Sequence, residues 1–485
     1  MFLGIDLGTG SVKALVLDGA GQVVAEAVSP YQVLSPQPGW AETPPADWWR
    51  AVCEAVSKLP GKARREVEAV GLSGQMHGVV LCKEDGTPLR PAILWADARS
   101  RPQLAAYEKL SDELRRSLAN PITVGMAGTS LLWLKENEPD LYTSAKWALQ
   151  PKDWLRLRLT GIANAEPSDA SATLLYDLAQ DSWSEEVVAT LGLRFDLLAP
   201  LVGSSQLTGT LTSRAGDDLG LKQSIPVTAG GGDVACSAFG SGLIQAGQVQ
   251  VNIGTAMQIF AVRDAPQVDA SLRTHLYRTV LDDTYAMAAM QNAGLALEWV
   301  RALLSLSWDE MYALAFTCPP GCEGLTFLPY LTGERTPHLE PGARGAWHGL
   351  TLKHGRAHLA RAAFEGVAFA LKDGLVALND IGIDPDGLRL AGGGTLEPKW
   401  RQLLANILEQ PLYAVSVPSA SAQGAALLAG VATEHFTVGE TADLSPSLAL
   451  AAEPGADERL AAAYKRFRHL YPLAKLKRHI DVQQG

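Results

Sequence analysis

Two acidic residues beside glycine-rich turns are the side chains of this sequence whose positions best suit phosphate chemistry. Asp6 precedes the turn Gly8-Thr9-Gly10, and Asp233 follows Gly230-Gly231-Gly232 at the end of an apolar strand. A glycine turn carries no side chain over its N–H groups, so these groups can approach an anion closely. A carboxylate there can face the metal that accompanies phosphate, or act as a general base toward a substrate hydroxyl. The pair therefore predicts a site for phosphate and a hydroxyl-bearing substrate.

The first glycine turn has a second copy about half a chain later, in Asn252-Ile253-Gly254-Thr255-Ala256. A strand follows the first turn, because Val12, Ala14 and Val16 recur at every second position. This excludes the dinucleotide-binding fingerprint, which needs a third glycine and then a helix. Two such hairpins, one opening each half, indicate a duplicated architecture that holds phosphate between its copies. For either hairpin alone, an ordinary tight turn is the alternative.

A P-loop is excluded as well, since the only Gly-Lys pair, Gly61-Lys62, is followed by Ala63 and not by Ser or Thr. A further glycine cluster, Gly392-Gly393-Gly394, ends an apolar strand in the second half. Glycines at the ends of strands are where open α/β sheets expose backbone to ligands. For Asp233 the alternative interpretation is an N-cap of the helix that follows it, since Asp is a favoured N-cap residue.

A histidine lies at another predicted strand end, in Gly74-Gln75-Met76-His77-Gly78. A neutral imidazole offers one hydrogen-bond donor and one acceptor, which matches adjacent hydroxyls of a polyol. The segment is therefore a candidate sugar contact, and a histidine satisfied within the core is the alternative.

The composition limits the class of protein and its partners. The chain has 485 residues, 47% of them hydrophobic and 19% charged, with a net charge of −11. This indicates two or three globular domains and argues against a nucleic-acid partner. No apolar run reaches the length of a membrane span, and five cysteines without a zinc-type spacing are expected to be reduced thiols of a cytoplasmic protein. The domain boundary is predicted near residues 240–247, and a homodimer is the hypothesis for the assembly.

These residues and several longer motifs resemble the FGGY family of carbohydrate kinases over nearly the whole chain. The motifs that carry the resemblance are GIDLGT at 4–9, GQMHG at 74–78, PAILWAD at 91–97, PKDWLRLRLTG at 151–161, GGGD at 230–233, LPYLTGERTPH at 328–338 and AGGG at 391–394. The resemblance implies an α/β fold of two duplicated actin-like (ribonuclease H-like) ATPase domains with a cleft between them. The predicted domains are 1–243, with the sugar site and the first phosphate hairpin, and 244–485, with the second hairpin and the adenosine side.

The resemblance also implies the reaction, which is ATP-dependent phosphorylation of a sugar, predicted to be D-xylulose at its C5 hydroxyl, with ATP and Mg²⁺. Asp233 is the implied catalytic base and also a substrate contact. Asp6 is the implied catalytic residue that places Mg²⁺, either directly or through a water molecule. The implied sugar contacts are Gln75, Met76 and His77. The implied ATP-binding residues are Gly8, Thr9, Gly10, Gly254, Thr255, Ala391, Gly393 and Gly394.

The chain departs from the family pattern at a few positions near these motifs. Ala96 and Val234 stand where the family usually has polar residues, and Ala256 where it usually has Ser. Loss of polar groups at 96 and 234 removes candidate hydrogen bonds to the sugar, each worth ~0.5–1.5 kcal/mol. Glu334 and Arg335 are interpreted as an inter-domain ion pair, with contact to substrate as the alternative.

Three other functions compete with the D-xylulose hypothesis. One is a kinase of the same family for another ketose or a polyol, such as ribulose. Another is an actin-like or chaperone-like ATPase without a sugar substrate, against which the GQMHG segment argues. The third is a sugar-binding regulator without catalysis, against which Asp6 and Asp233 both argue.

Overall fold

The computed structural model describes residues 1–415, 417–444 and 448–475. The last residues of the predicted domain 244–485, from 476 on, therefore lie outside the described residues. The strands of the first half are β1 (Phe2–Leu7), β2 (Ser11–Leu17), β3 (Val23–Pro30), β4 (Glu42–Thr43), β5 (Ala69–Gly74), β6 (Val80–Cys82), β7 (Ala92–Ile93), β8 (Trp147–Leu149), β9 (Tyr176–Asp177), β10 (Ser182–Trp183), β11 (Leu207–Thr210), β12 (Pro226–Thr228) and β13 (Gly231–Gly232). Its helices are α1 (Pro45–Lys58), α2 (Gly61–Arg65), α3 (Leu104–Tyr107), α4 (Asp112–Ser117), α5 (Ala127–Asn137), α6 (Pro139–Ser144), α7 (Pro151–Thr160), α8 (Pro167–Ala170), α9 (Glu185–Thr190), α10 (Ser213–Leu219) and α11 (Asp233–Gly240).

The second half begins with a new hairpin and repeats the same alternation of strands and helices. Its strands are β14 (Val249–Ile253), β15 (Met257–Arg263), β16 (His275–Arg278), β17 (Thr284–Met290), β18 (Thr326–Leu328), β19 (Ala346–His348), β20 (Leu388–Ala391), β21 (Leu412–Ala414) and β22 (Ala449–Ala452). Its helices are α12 (Gly294–Leu303), α13 (Trp308–Ala315), α14 (Arg356–Asn379), α15 (Pro398–Leu408), α16 (Ala420–Ala432), α17 (Val438–Asp443) and α18 (Glu458–Ala474).

The main sheets of the two halves have the same topology, which confirms the predicted duplication. The first sheet has the order β3-β2-β1-β5-β12-β11, and the second has the order β17-β15-β14-β20-β21-β22 with β16 added beyond β17. In each sheet the first three strands are antiparallel, the next two pairings are parallel and the last is antiparallel. The hairpin β1–β2 of the first half thus corresponds to β14–β15 of the second, and both predicted glycine turns connect antiparallel strands.

One helix of the second half packs on the sheet of the first half. The carbonyl groups of α16 lie so close to β1 and β5 that a Cβ atom built at Gly4 would be 1.9 Å from Ala422 O, and one at Gly71 would be 1.8 Å from Ala425 O. Only glycine fits these strand positions. Helix α16 also crosses α11 at Gly240 and Gly424. The Ser-, Ala- and Gly-rich composition of this segment is explained by these backbone approaches.

Apolar side chains of the described residues form four cores: two in the first half, one mainly in the second half, and one that both halves share. Trp48, fully buried, lies in one core of the first half, and Trp400 lies in the core of the second. The shared core joins Phe2 and Leu17 to Ala426 and other residues of the second half. All five cysteines are free thiols, as predicted. Within the three described ranges, no helix has the length and apolar character needed to cross a membrane.

Candidate active site between the two halves

Two cavities take residues from both halves and a third lies within the second half, and each contains residues that the sequence singled out. The first, about 180 Å³, is named here the Asp233 cavity and is lined by residues that include Thr9, Met76, His77, Trp95, Asp233, Val234, Gln258, His275, Tyr277 and Arg335. The second, about 440 Å³, is the Asp6 cavity, lined by residues that include Asp6, Lys13, Asn252, Ala391, Gly392 and Gly393. The third, about 640 Å³, is the Trp308 cavity, lined by residues that include Gly254, Thr255, Trp308, Tyr312, Gly393 and Gly394.

The Asp233 carboxylate is fixed at the start of α11, directly after the short strand β13. Gly232 is the N-cap and Asp233 is the first helical residue, so the N-cap interpretation of Asp233 does not describe its position. Its Oδ1 accepts a hydrogen bond from Val234 N at 2.8 Å. Burial, and then the negative charge of Asp6, raise the pKa of Asp233 to about 7. A carboxyl with a pKa near 7 is suited to take a proton at neutral pH.

Asp6 lies at the end of β1, and its side chain faces a different cavity from Asp233. Ser73 Oγ donates to Asp6 Oδ1 at 2.9 Å. Burial raises the pKa of Asp6, while the Ser73 hydrogen bond and the positive charge of Lys13 oppose the rise. Lys13 and Asp6 both line the Asp6 cavity, so a cation and an anion stand together at the first hairpin. The sequence analysis did not select Lys13, although its polar side chain interrupts the apolar strand β2.

The first hairpin turn is braced from outside and placed between the two cavities. Tyr31 donates through its hydroxyl to Gly8 O and through its N–H to Gly10 O, the latter at 3.0 Å. Thr9, predicted to bind ATP, lines the Asp233 cavity and accepts a hydrogen bond from Trp95 Nε1 at 2.9 Å. The turn therefore contributes Thr9 to the Asp233 cavity, while the strand before it carries Asp6 of the other cavity.

His77 lies in the cavity with only one of its nitrogens available. Its Nδ1 is 2.7 Å from Ala172 O, so this nitrogen carries the proton and donates to the carbonyl. Burial lowers the pKa of His77 to about 4, which keeps the ring neutral at pH 7. The remaining Nε2 is a hydrogen-bond acceptor. The sequence predicted that His77 offers both a donor and an acceptor to the sugar, but in the structure it can offer only an acceptor.

Gln75, predicted to contact the sugar, is not placed in the cavity. Its side chain is 1% exposed and its Nε2 donates to Tyr31 Oη at 3.4 Å, behind the first hairpin. Strand β5 ends at Gly74, and in the turn that follows Met76 and His77 line the cavity whereas Gln75 does not. The sequence-based role of Gln75 is therefore corrected to support of the hairpin.

Several residues of the second half complete the Asp233 cavity and were missed by sequence reasoning. They are Gln258, His275, Tyr277, Met287 and Ala289. Tyr277 Oη and His275 Nδ1 are 2.7 Å apart, and Asn120 Oδ1 is 3.1 Å from the same nitrogen. Burial lowers the pKa of His275 to about 3, so this ring is neutral as well.

Glu334 and Arg335 do not form the inter-domain ion pair expected from the sequence. The Glu334 carboxylate accepts hydrogen bonds from Gln291 N and Arg335 N, each at 2.8 Å, and all of its partners belong to the second half. The Arg335 guanidinium instead lines the Asp233 cavity.

Two residues that depart from the family pattern, Ala96 and Val234, were expected to affect sugar binding. Val234 lines the Asp233 cavity, while Ala96 is exposed outside it.

A buried set of charges beneath the cavity fixes the backbone that carries Asp233. Lys152 Nζ is 2.5 Å from Asp153 Oδ1 and 3.4 Å from Glu166 Oε1, and these side chains have 0–1% exposure. Glu166 Oε1 accepts from Ser168 Oγ at 2.9 Å, and Ser168 Oγ accepts from Gly232 N at 3.0 Å. The PKDW segment thus anchors the residue before Asp233 through Glu166 and Ser168.

The residues present fit a metal bound with phosphate and not a metal held by protein ligands alone. Within the described ranges no group of three or more His, Cys, Asp or Glu side chains is placed to hold a metal. Asp6 and Asp233 repel each other enough to raise the pKa of Asp233, and a cation beside Asp6 relieves this repulsion.

The two halves match the two domains of one known family. Residues 1–240 match the N-terminal domain of the FGGY family of carbohydrate kinases, and residues 249–433 match its C-terminal domain. The chain therefore belongs to the FGGY family of carbohydrate kinases. This establishes the predicted fold class, two duplicated actin-like ATPase domains around a cleft.

Several individual members of the family, which are kinases of different sugars, resemble this chain over nearly its full length. A curated xylulose kinase of Escherichia coli strain K12 is 36% identical over 479 residues, which cover 97% of this chain and 98% of that protein. The crystal structure of a "xyloylose kinase" from Brucella ovis superposes with a TM-score of 0.92 at 33% identity, over 97% of this chain and 99% of that one. A gluconate kinase from Lactobacillus acidophilus also superposes, with a TM-score of 0.90 at 26% identity, over 97% and 96%. The fold alone therefore does not select the sugar.

Proposed function

We propose that this carbohydrate kinase transfers the γ-phosphoryl group of ATP to the C5 hydroxyl of D-xylulose. The observation that carries the proposal is the position of Asp233. Its carboxylate lines a cavity with Thr9, Met76 and His77 and lies close enough to Asp6 to feel its charge. The similarity to xylulose kinases over nearly the full chain supports D-xylulose as the sugar.

Asp233 acts as the general base in this proposal. With a pKa of about 7, the carboxylate accepts the proton of the C5 hydroxyl as the oxygen bonds to phosphorus. Met76 packs against the sugar, and His77 Nε2 accepts a hydrogen bond from one of its hydroxyls. Positioning supplies most of the rate, since little covalent chemistry is left to the protein in phosphoryl transfer.

The two hairpins and the glycine cluster after β20 hold the nucleotide in this proposal. The phosphate contacts are Gly8, Thr9, Gly10, Gly254 and Thr255, and the adenosine side is held by Ala391, Gly393 and Gly394. Gly393 lines both the Asp6 cavity and the Trp308 cavity, so the nucleotide extends from one to the other. Asp6 holds the Mg²⁺ that accompanies ATP, directly or through water, and the metal neutralises charge on the phosphates.

Closure of the cleft protects ATP from water. We place the division between the domains, 1–243 and 244–485, at the segment 240–247 between α11 and β14, and propose that the halves close about it. Water exclusion prevents wasteful hydrolysis and strengthens the electrostatic contacts of the site. The Asp233 cavity takes residues from both halves, so closure brings its two walls together.

An ADP-release assay with a panel of sugars tests the proposed function. We expect D-xylulose to stimulate ADP release well above the rate without sugar, and above D-ribulose, glycerol and D-gluconate. Phosphorus NMR of the product then locates the new ester at C5. Absence of stimulation by any sugar would contradict the kinase proposal, and a clear preference for another sugar would contradict the choice of D-xylulose.

The cellular location and the assembly are further parts of the proposal. A reduced cytoplasmic environment agrees with the five free thiols. The homodimer hypothesis is tested by light scattering of the purified protein, and a monomer at micromolar concentration would contradict it.

A further inference from the structure

Arg335 brings a permanent positive charge into the Asp233 cavity. The two histidines that line the same cavity are neutral at pH 7, because burial lowers the pKa of His77 to about 4 and that of His275 to about 3. A guanidinium stays protonated throughout the physiological pH range. A neutral sugar offers no formal charge to balance this cation, so its presence in the cavity needs an explanation.

The guanidinium of Arg335 is left without a protein partner. Over residues 1–415, 417–444 and 448–475, no side chain or carbonyl accepts a hydrogen bond from it and no carboxylate pairs with it. Its neighbour Glu334 is turned away, with its carboxylate occupied by the amides of Gln291 and Arg335. Half-buried charged groups are normally paired. The free donors of Arg335 therefore point to an acceptor that the ligand supplies.

The backbone on both sides of Arg335 is held in place by hydrogen bonds to neighbouring segments. Asn292 Nδ2 donates to Gly333 O at 2.7 Å. Thr336 Oγ1 donates to Arg273 O at 2.8 Å and accepts from Ala289 N at 3.2 Å. With Glu334, these bonds fix both sides of Arg335 to the end of β17 and to the segment before β16. A fixed backbone limits the positions that the guanidinium can reach, which lowers the entropic cost of binding an acceptor.

Arg335 and Asp233 line the same cavity from different halves of the chain. Arg335 belongs to the wall formed by the second half, with His275 and Tyr277, and Asp233 belongs to the wall formed by the first. An extended substrate whose terminal hydroxyl lies at Asp233 therefore presents its other end to Arg335.

The chemistry of a 2-ketopentose places a carbonyl at that other end. In the ring form of such a sugar, the C5 oxygen is bonded to C2 and has no proton to give. Phosphorylation at C5 therefore requires the open chain, in which the C2 carbonyl is free. A guanidinium donates charge-assisted hydrogen bonds to an oxygen acceptor.

Building on the proposed function, we propose that Arg335 binds the C2 carbonyl oxygen of the open-chain ketose and thereby selects ketoses over the corresponding polyols. In a polyol, C2 bears a hydroxyl, which is a weaker acceptor and also brings a donor proton toward the donors of Arg335. Arg335 is then a specificity-determining residue from the second half, opposite the base from the first half.

The test compares D-xylulose with xylitol, which has a hydroxyl in place of the C2 carbonyl and keeps a primary alcohol at C5. We expect Arg335→Met to lower kcat/KM for D-xylulose about 10- to 100-fold and to leave kcat/KM for xylitol within about threefold. Arg335→Lys, which keeps the positive charge, should retain part of the preference for D-xylulose over xylitol. The matched control is Arg459→Met, which removes an arginine that pairs with Asp457 outside the cavity and should preserve the preference. Thermal unfolding and ATP affinity of each variant report whether the fold and the nucleotide site are intact.

Each outcome decides between distinct conclusions. An equal loss of kcat/KM on both substrates, or no loss, would overturn the role of Arg335 while leaving the kinase function in place. If the unchanged protein prefers D-gluconate and loses that preference in Arg335→Met, the guanidinium binds a carboxylate and the carbonyl assignment is overturned. If the unchanged protein phosphorylates no ketose, the proposed function fails and the role of Arg335 fails with it.

Discussion

The carboxyl groups of Asp6 and Asp233 lie near enough for the charge of Asp6 to raise the pKa of Asp233, although each faces its own cavity. Asp6 ends the first strand of the chain, and Asp233 begins the helix that leaves the same sheet. The sheet thus holds the candidate base and the first hairpin beside one cavity. The protonation of one carboxyl depends on the charge of the other, and this coupling is open to measurement.

The pH dependence of the reaction should report this coupling. We expect kcat/KM for the sugar to rise with pH and to level off above about 7, because Asp233 must lose its proton before it can act as a base. Asp6→Asn removes the negative neighbour, so the pKa of Asp233 falls and the rise shifts to lower pH in the residual activity. Rate profiles from pH 5 to 9 for both proteins provide the measurement. A profile that stays in place in Asp6→Asn would show that Asp6 does not act on Asp233.

Replacing Asp233 itself should separate activity from stability. Asp233→Asn is expected to lower kcat by ~10²–10⁴, the usual effect of losing a general base. The folded protein binds the Asp233 proton more tightly than the unfolded chain, since the pKa rises from 3.8 to about 7. Wild-type stability is therefore lost as pH rises through this range. The Asn variant, which cannot ionise, should be more stable than wild type by about 1–3 kcal/mol at pH 8 and should lose that advantage near pH 4.

Denaturant unfolding at the two pH values, with kcat measured on the same samples, tests both parts of this prediction. A loss of stability at pH 8 with full turnover would instead support a purely structural role of Asp233 at the helix start.

A substitution at His77 should affect the sugar and not the nucleotide. His77 has a φ of 71°, which asparagine tolerates better than most residues, and an asparagine amide can still donate to Ala172 O. The asparagine side chain is shorter than that of histidine and has no acceptor atom at the position of Nε2. We therefore expect kcat/KM for the sugar to fall about 5- to 150-fold in His77→Asn. Separate titrations with sugar and with ATP provide the measurement. Equal weakening of both, or an unchanged KM for the sugar, would assign His77 a structural role.

Two serines that donate to the same carboxylate offer a matched pair. Ser168 and Ser204 each donate to Glu166, at 2.9 Å and 2.8 Å, but only Ser168 also accepts from Gly232 N. Both alanine variants should lose about 1–3 kcal/mol of unfolding free energy, because each leaves a buried polar group unsatisfied. Only Ser168→Ala should also lower kcat, since it releases the residue before Asp233. Melting curves together with kcat and KM distinguish the two, and an equal kcat in both variants would contradict a positioning role for Ser168.

Local spacing was sufficient to predict the parts of the site that lie at strand ends. The two hairpins, Asp233 after its triple glycine and the Met76–His77 pair are all marked by glycines next to alternating apolar residues. Such signals depend on neighbours in the chain, so a single sequence contains them. Local spacing did not predict that Thr9 lines the Asp233 cavity and that Gln75 does not. These positions depend on which side of each strand end faces the second half.

The opposite wall of the Asp233 cavity was not predictable in the same way. His275, Tyr277 and Gln258 belong to strands whose other residues are buried, and nothing in their local sequence distinguishes a cavity wall from a core. Their role arises from the packing of one half against the other. The GERTPH segment marks Arg335 in the sequence. Only the structure shows that the Glu334 carboxylate is bonded to the amides of Gln291 and Arg335 and does not pair with the guanidinium.

The packing of α16 on β1 and β5 has a consequence for the synthesis of the protein. The ribosome makes β1 first, but the helix that covers this part of the sheet begins only at Ala420. The sheet's last strand, β12, is complete about 190 residues before α16 begins, so at ~5–20 residues per second the nascent sheet waits roughly 10–40 seconds for its cover. During that interval its apolar face is available to chaperones or to other nascent chains. A fragment that ends at residue 243 never acquires the helix, so the first half of this kinase depends on residues 420–432 to complete its fold.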